Sequence, residues 1–103
     1  MKKIINGKRY DTDKAERLAE HTFANPSDFR YVSEELYRTP NGAFFLHGEG
    51  GGLSKYRVVV DTNSWTGGST IVPLTKEAAS AWLEEHGETK VLEKYFPDLI
   101  ADA

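Results

Sequence analysis

Thr39-Pro40-Asn41-Gly42 is the strongest local instruction in the sequence, and it dictates a tight reversal of the chain. Pro40 pre-sets its backbone for the first corner of a turn and Asn41 tolerates the second. Gly42 supplies the left-handed conformation that closes a three-residue hairpin loop. With the loop at Pro40 to Gly42, Thr39 faces Ala43. Counting outwards sets Arg38 beside Phe44, Tyr37 beside Phe45, Leu36 beside Leu46 and Glu35 beside His47. Tyr37 with Phe45 is an aromatic cross-strand pair, which contributes about 0.2 to 1 kcal/mol over an alanine pair. Successive side chains alternate across a strand, so Tyr37/Phe45 and Glu35/His47 share one face, and Leu36/Leu46 and Arg38/Phe44 the other. A two-stranded ribbon is marginal alone. One face must therefore pack on helices, which leaves the other available for a partner.

The flanking segments supply candidate layers. Asn6-Gly7 between Lys3–Ile5 and Lys8–Tyr10 predicts a short N-terminal ribbon. Asp13 with Glu16 has the spacing of a capping box, and Ala15, Leu18, Ala19 and Thr22 recur at helical spacing, which predicts a helix from about Lys14 to Thr22. Asn25-Pro26-Ser27-Asp28 ends it, and Phe29 to Arg38 forms the incoming arm of the central hairpin. Tyr56 to Asp61 is β-branched and reads as a strand, with turns at Asp61–Ser64 and Thr66–Ser69. Thr70 to Leu74 is a last short strand, placed at an edge by Pro73, which cannot donate to a ladder. Thr75 caps a helix over Lys76 to His86 that Gly87 stops, and a second helix runs from about Thr89 to Phe96, ended by Pro97. The fold class is α+β: a small antiparallel sheet built on the central hairpin, packed by one N-terminal and two C-terminal helices. At 103 residues the chain is expected to form a single domain, 1–103.

Composition removes several function classes. There is no cysteine, so thiol chemistry and disulfides are excluded, in keeping with a cytoplasmic protein. No apolar run approaches the roughly 20 residues that span a bilayer. The net charge of -3 is uneven: residues 1–30 hold seven basic against five acidic residues, and residues 61–103 hold three against eight. The acidic C-terminal part reads as solvated helix faces or as a surface for a basic partner.

No catalytic signature emerges. Gly48 to Gly52 fails as a dinucleotide fingerprint because Leu53 stands where a glycine is needed, and fails as a Walker loop because Leu53-Ser54-Lys55 replaces Gly-Lys-Ser/Thr. It reads as a mobile connector or an anion-binding backbone nest. His21, His47 and His86 lie on different elements without the spacing of a metal site. Glu34/Glu35 and Glu84/Glu85 are neighbours whose side chains diverge, so neither is an acid/base pair. No cofactor or metal is implied. Tyr31, Tyr37, Phe44 and Phe45 with Arg30 and Arg38 present a route to base stacking, but an RNP-like motif is missing and the pI near 5.6 opposes a phosphate-driven footprint. Trp65, in a polar loop, is either the lid of a small core or an exposed binding anchor.

Several strings occur together: KKIINGKRYDT, SDFRYVSEELYR, GAFFLHGEGG, SKY, NSWTGG and IVPLTKEAASAWLEEHG. Their order, from Lys2 to about Gly87, resembles a family of small proteins carried on conjugative elements and phages of Gram-positive bacteria. That kind of protein includes anti-CRISPR proteins of the type II-A, Cas9-directed group. The resemblance implies a non-enzymatic inhibitor whose partner is Cas9 or its guide-RNA complex, and no functional residue transfers with it. The residues that suit a partner-binding surface are Glu34, Glu35, Tyr37, Arg38 and Glu49 on the hairpin, with Trp65 as an anchor. The alternative is a nucleic-acid-binding accessory protein of a mobile element; a small enzyme ranks below both.

Overall fold

The computed structural model describes residues 1–103. Along the chain it contains β1 (Lys2–Ile5), β2 (Lys8–Asp11), β3 (Glu16–Phe23), β4 (Val32–Arg38), β5 (Phe44–Gly50), β6 (Val58–Asp61), β7 (Ser64–Thr66) and β8 (Gly68–Leu74). Two helices follow, α1 (Lys76–Glu85) and α2 (Thr89–Tyr95), and then a short 3-10 turn at Pro97–Leu99. Strands β3-β4-β5-β8 form one antiparallel sheet in that order, while β1–β2 and β6–β7 are separate two-stranded ribbons.

The central hairpin has the register its turn demands. Thr39 N–H donates to the Ala43 carbonyl at 2.8 Å, Gly42 adopts φ 83°, and Arg38/Phe44, Tyr37/Phe45, Leu36/Leu46 and Glu35/His47 are opposite one another. The incoming strand is shorter than its sequence suggests. It starts at Val32 rather than Phe29, because Asp28 caps a turn by accepting from Arg30 N–H at 2.8 Å. At the C-terminal end, Thr75 Oγ1 accepts from Ala78 N–H, Gly87 takes φ 68°, and Pro97 follows α2, all as the caps and stops predict.

The expected N-terminal helix is absent: Glu16–Phe23 is an edge strand paired with β4. A bulge between Arg17 and Ala19 explains the misleading spacing. Arg17 faces Tyr37 and Ala19 faces Leu36, so Leu18 is an extra residue, and Leu18 and Ala19 both reach the same core. Adjacent apolar residues on one side look helical, whereas an unbulged strand would have split them. Asp11 and Asp13 likewise cap no helix; Asp13 N–H bonds Asp11 Oδ1 at 3.0 Å in a tight turn.

Each face of the sheet is covered. The two helices bury Leu36, Phe44 and Leu46 under Ala79, Trp82, Leu83, Leu92 and Phe96, with the Phe44 and Phe96 rings 5.0 Å apart. Leu36, Leu83 and Phe96 lose all exposure, each contributing about 1.5 to 3 kcal/mol through burial. The opposite face does not stay free for a partner. The β1–β2 ribbon folds across it, and Tyr10 packs edge-on to Phe45 at 5.6 Å while Tyr37 stacks on the same ring at 5.2 Å. Nor is the glycine run a mobile connector. Gly48 and Gly50 belong to β5, and a Cβ on Gly48 would lie 2.0 Å from the Tyr56 ring. Glycine here provides room for close approach.

Candidate functional site

Val58-Val59-Val60 favours an extended backbone because its branched side chains suit a pleated strand. Asp61 turns the chain, with Oδ1 accepting from Thr62 N–H at 2.7 Å, and β7 returns with Val59 opposite Trp65. What is unusual is the exposure: every residue from Arg57 to Gly67 is exposed, including Val58 at 50%, Val59 at 64%, Val60 at 62% and Trp65 at 49%. Exposed Phe29 and Leu53 belong to the same end of the sheet. Leu53 N–H donates to the Phe29 carbonyl at 2.8 Å, and adjacent Gly52 lies against the Trp65 carbonyl. The molecule measures 48 × 34 × 20 Å with a radius of gyration of 15.0 Å, beyond the roughly 13 Å of a compact chain of similar length. Exposed apolar side chains gathered at one end of an elongated molecule are the kind of feature that marks an interaction site.

The root of this ribbon is a buried polar network. Glu34 on β4 is 3% exposed and points to the helix side, opposite Gly48. Its carboxylate accepts from Trp82 Nε1 at 3.2 Å, from Lys55 Nζ at 2.8 Å and from the Tyr56 hydroxyl. Burial pushes the Glu34 pKa up, but the hydrogen bonds from Lys55, Tyr56 and Trp82 outweigh it and hold the carboxyl below the usual carboxylate range. Burial, then the bond to Glu34, raises the Tyr56 hydroxyl well above its ordinary value. Lys55 and Tyr56 lie just before β6, separated from it by Arg57, so Glu34 ties the exposed ribbon to the sheet and α1. Ser54 tightens the same turn, its Oγ donating to the Gly51 carbonyl at 2.7 Å and accepting from Tyr56 N–H at 3.2 Å.

Beside this network, the His21 and His86 rings stack at 3.8 Å, and His86 meets Trp82 at 4.5 Å. Burial and the neighbouring His21 depress the His86 pKa. Two histidines that are far apart in sequence thus meet between β3 and the end of α1. No group of three or more His, Asp or Glu side chains is arranged to hold a metal ion, and no helix is long and apolar enough to cross a membrane.

The structure does not bring the six residues expected at a partner surface together on one face. Glu34 is withdrawn into the network, with nearly all its surface removed from a partner's reach. Glu35 lies on the opposite face, its carboxylate bonded to Arg17 at 2.9 Å and His47 at 3.1 Å. Burial raises its pKa, but Arg17 and His47 reverse the shift and leave it lowered. Tyr37 is half-buried against Phe45, Arg38 and Glu49 are exposed on the sheet, and Trp65 is exposed on the ribbon. Nothing local in the sequence marks Lys55, Tyr56, Trp82, His21 or His86 as site residues. One signal was present in the sequence: the hairpin register sets Glu34 opposite Gly48, and a glycine across from a carboxylate leaves space for a third group.

Comparison with protein-family models, curated proteins and solved structures gives no match.

Proposed function

We propose that this chain is a non-enzymatic interaction protein of a mobile genetic element. It acts in the host cytoplasm as an anti-CRISPR inhibitor, docking on a CRISPR effector such as Cas9 or its guide-RNA complex. The observation that carries the docking reading is the exposed β6–β7 ribbon, with Val58, Val59, Val60 and Trp65 open to solvent on a rooted base. The choice of effector is supported by the sequence resemblance. Tryptophan is enriched among residues that dominate binding energy, and a rigid base reduces the ordering cost of association. The acidic balance of residues 61–103 suits a basic nucleoprotein surface and would steer encounter.

The test is capture of the purified Cas9–guide complex on the immobilised protein, followed by a DNA-cleavage assay. The expected result is capture and loss of cleavage, both weakened by Trp65→Ala. A central tryptophan contributes about 2 kcal/mol, roughly a 30-fold change in affinity. Normal cleavage with the protein in large excess would overturn the Cas9 assignment. Full inhibition by a Trp65→Ala, Val59→Glu double variant would overturn the assignment of the ribbon.

A further inference from the structure

The end of the sheet remote from the β6–β7 ribbon holds a different surface. There the tip of the β1–β2 ribbon and the Thr39–Ala43 turn enclose a cleft of about 620 Å3. Its size lies in the range of about 300 to 1,000 Å3 that accommodates nucleotide-sized ligands. Eight of its ten lining residues are not hydrophobic, and Lys8, Arg9 and Lys14 are among them. None of these three cations forms an ion pair in the structure. The one carboxylate in the wall, Asp11, accepts from the backbone of Asp13. Three unpaired like charges around a concavity focus a positive potential into it and raise the local concentration of anions.

The absence of an open ring in the cleft decides the type of anion contact. Tyr10 is its one aromatic residue, and it is 8% exposed with its ring committed to Phe45. A base has no platform on which to stack, whereas phosphates need only cations and polar donors such as the Asn41 amide. Exposed cations around a short concavity suit a flexible strand, whose backbone can follow the groove, better than a rigid duplex. We propose that the cleft binds the phosphodiester backbone of a single-stranded oligonucleotide, without reading its bases. The local basic balance overrides the acidic net charge, because interactions between exposed charges are screened beyond about 8 Å at physiological ionic strength.

The experiment titrates a short fluorescent single-stranded oligonucleotide with the full chain and follows anisotropy across a salt series. Binding at low salt is expected, with equal affinity for mixed and homopolymeric sequences. The slope of log K against log salt should be about -2, from three contacts at about 0.7 each. Lys8→Glu, Arg9→Glu, Lys14→Glu together should weaken binding at least tenfold (~), while Lys90→Glu, Lys94→Glu on α2 should leave it unchanged. If the charge reversals disturb folding, the glutamine versions of the same three positions should show the same loss. No binding at low salt, no effect of the cleft substitutions in a folded protein, a strong base preference, or tighter binding of a polyglutamate peptide would overturn the proposal. No CRISPR component is present in this assay, so its failure leaves the ribbon reading standing, and failure of Cas9 capture leaves the cleft standing.

Discussion

The molecule contains two short β-ribbons with opposite fates. The β1–β2 ribbon, turned by Asn6 and Gly7 at φ 51° and 77°, lies on the sheet and inserts Tyr10 beside Phe45. The β6–β7 ribbon also pairs its strands and carries a larger aromatic, Trp65, yet it remains exposed along its whole length. A ribbon alone is marginally stable. The first obtains its stability from an aromatic inserted in the core. The second obtains it from the buried root at Glu34, which leaves its own apolar side chains free. The contrast separates a structural aromatic from one available for binding.

The largest effect should come from removing the anchor of the covered ribbon. Tyr10→Ala is expected to destabilise the protein by about 3 kcal/mol, a value near the lower end for buried aromatic truncations. Urea unfolding measures it, and an unchanged midpoint would mean that the ribbon does not depend on this contact.

Glu34→Ala comes next. It leaves the Trp82 indole N–H and the Tyr56 hydroxyl without their acceptor, at a cost of about 2 to 3 kcal/mol. Because it cuts the root, amide exchange should accelerate in residues 58–66 more than in β4 and β5. Uniform acceleration would instead assign Glu34 to the core as a whole.

Acidification should act on the same root in two stages. The fold favours neutral His86, whose pKa lies below its ordinary 6.5, so its contribution is complete above 6.5 and is lost as pH falls through the lower folded value. His86 faces His21 from β3, Glu34 from β4, and Glu85 and Lys55 nearby. The fold also favours ionised Glu34, whose contribution is complete above 4.5 and is lost as pH falls through its depressed value. Melting temperatures should therefore fall first below about pH 6.5 and again below about 4.5. His86→Gln should remove the first decline and keep the second; if the first persists, the stacked pair is not its source.

The smallest stability effect is expected for Trp65→Ala, within about 0.5 kcal/mol, as for surface positions generally. Joined to a loss of capture by the effector complex, this near-neutral value would sharpen the contrast with Tyr10. A loss of stability like that of Tyr10→Ala would erase it.

Much of the hairpin, the C-terminal caps and the edge position of β8 was legible because short-range rules decide them. The β3 segment resembles a helix for a specific reason, since one inserted residue at Leu18 imitates helical spacing. The site was less legible. Trp65 stood out by residue type, but its exposure depends on what the rest of the chain covers. Lys55, Tyr56 and Trp82 converge on Glu34 from 21, 22 and 48 positions away, and no local pattern encodes that meeting.

Sequence by itself determined where the chain turns and stops: Asn6-Gly7, Thr39 to Gly42, Thr75, Gly87 and Pro97 act through the backbone torsions and hydrogen bonds of a few contiguous residues. It also determined that Glu34 and Glu35 point apart, since strand side chains alternate. Only the tertiary structure decided that Glu34 is buried and roots a ribbon while Glu35, already set beside His47 by the hairpin register, also gains Arg17 from β3, and that one ribbon is covered and the other free. Burial and charge pairing are properties of groups brought together from distant parts of the chain, and their energies exist only once the sheet has closed against its helices.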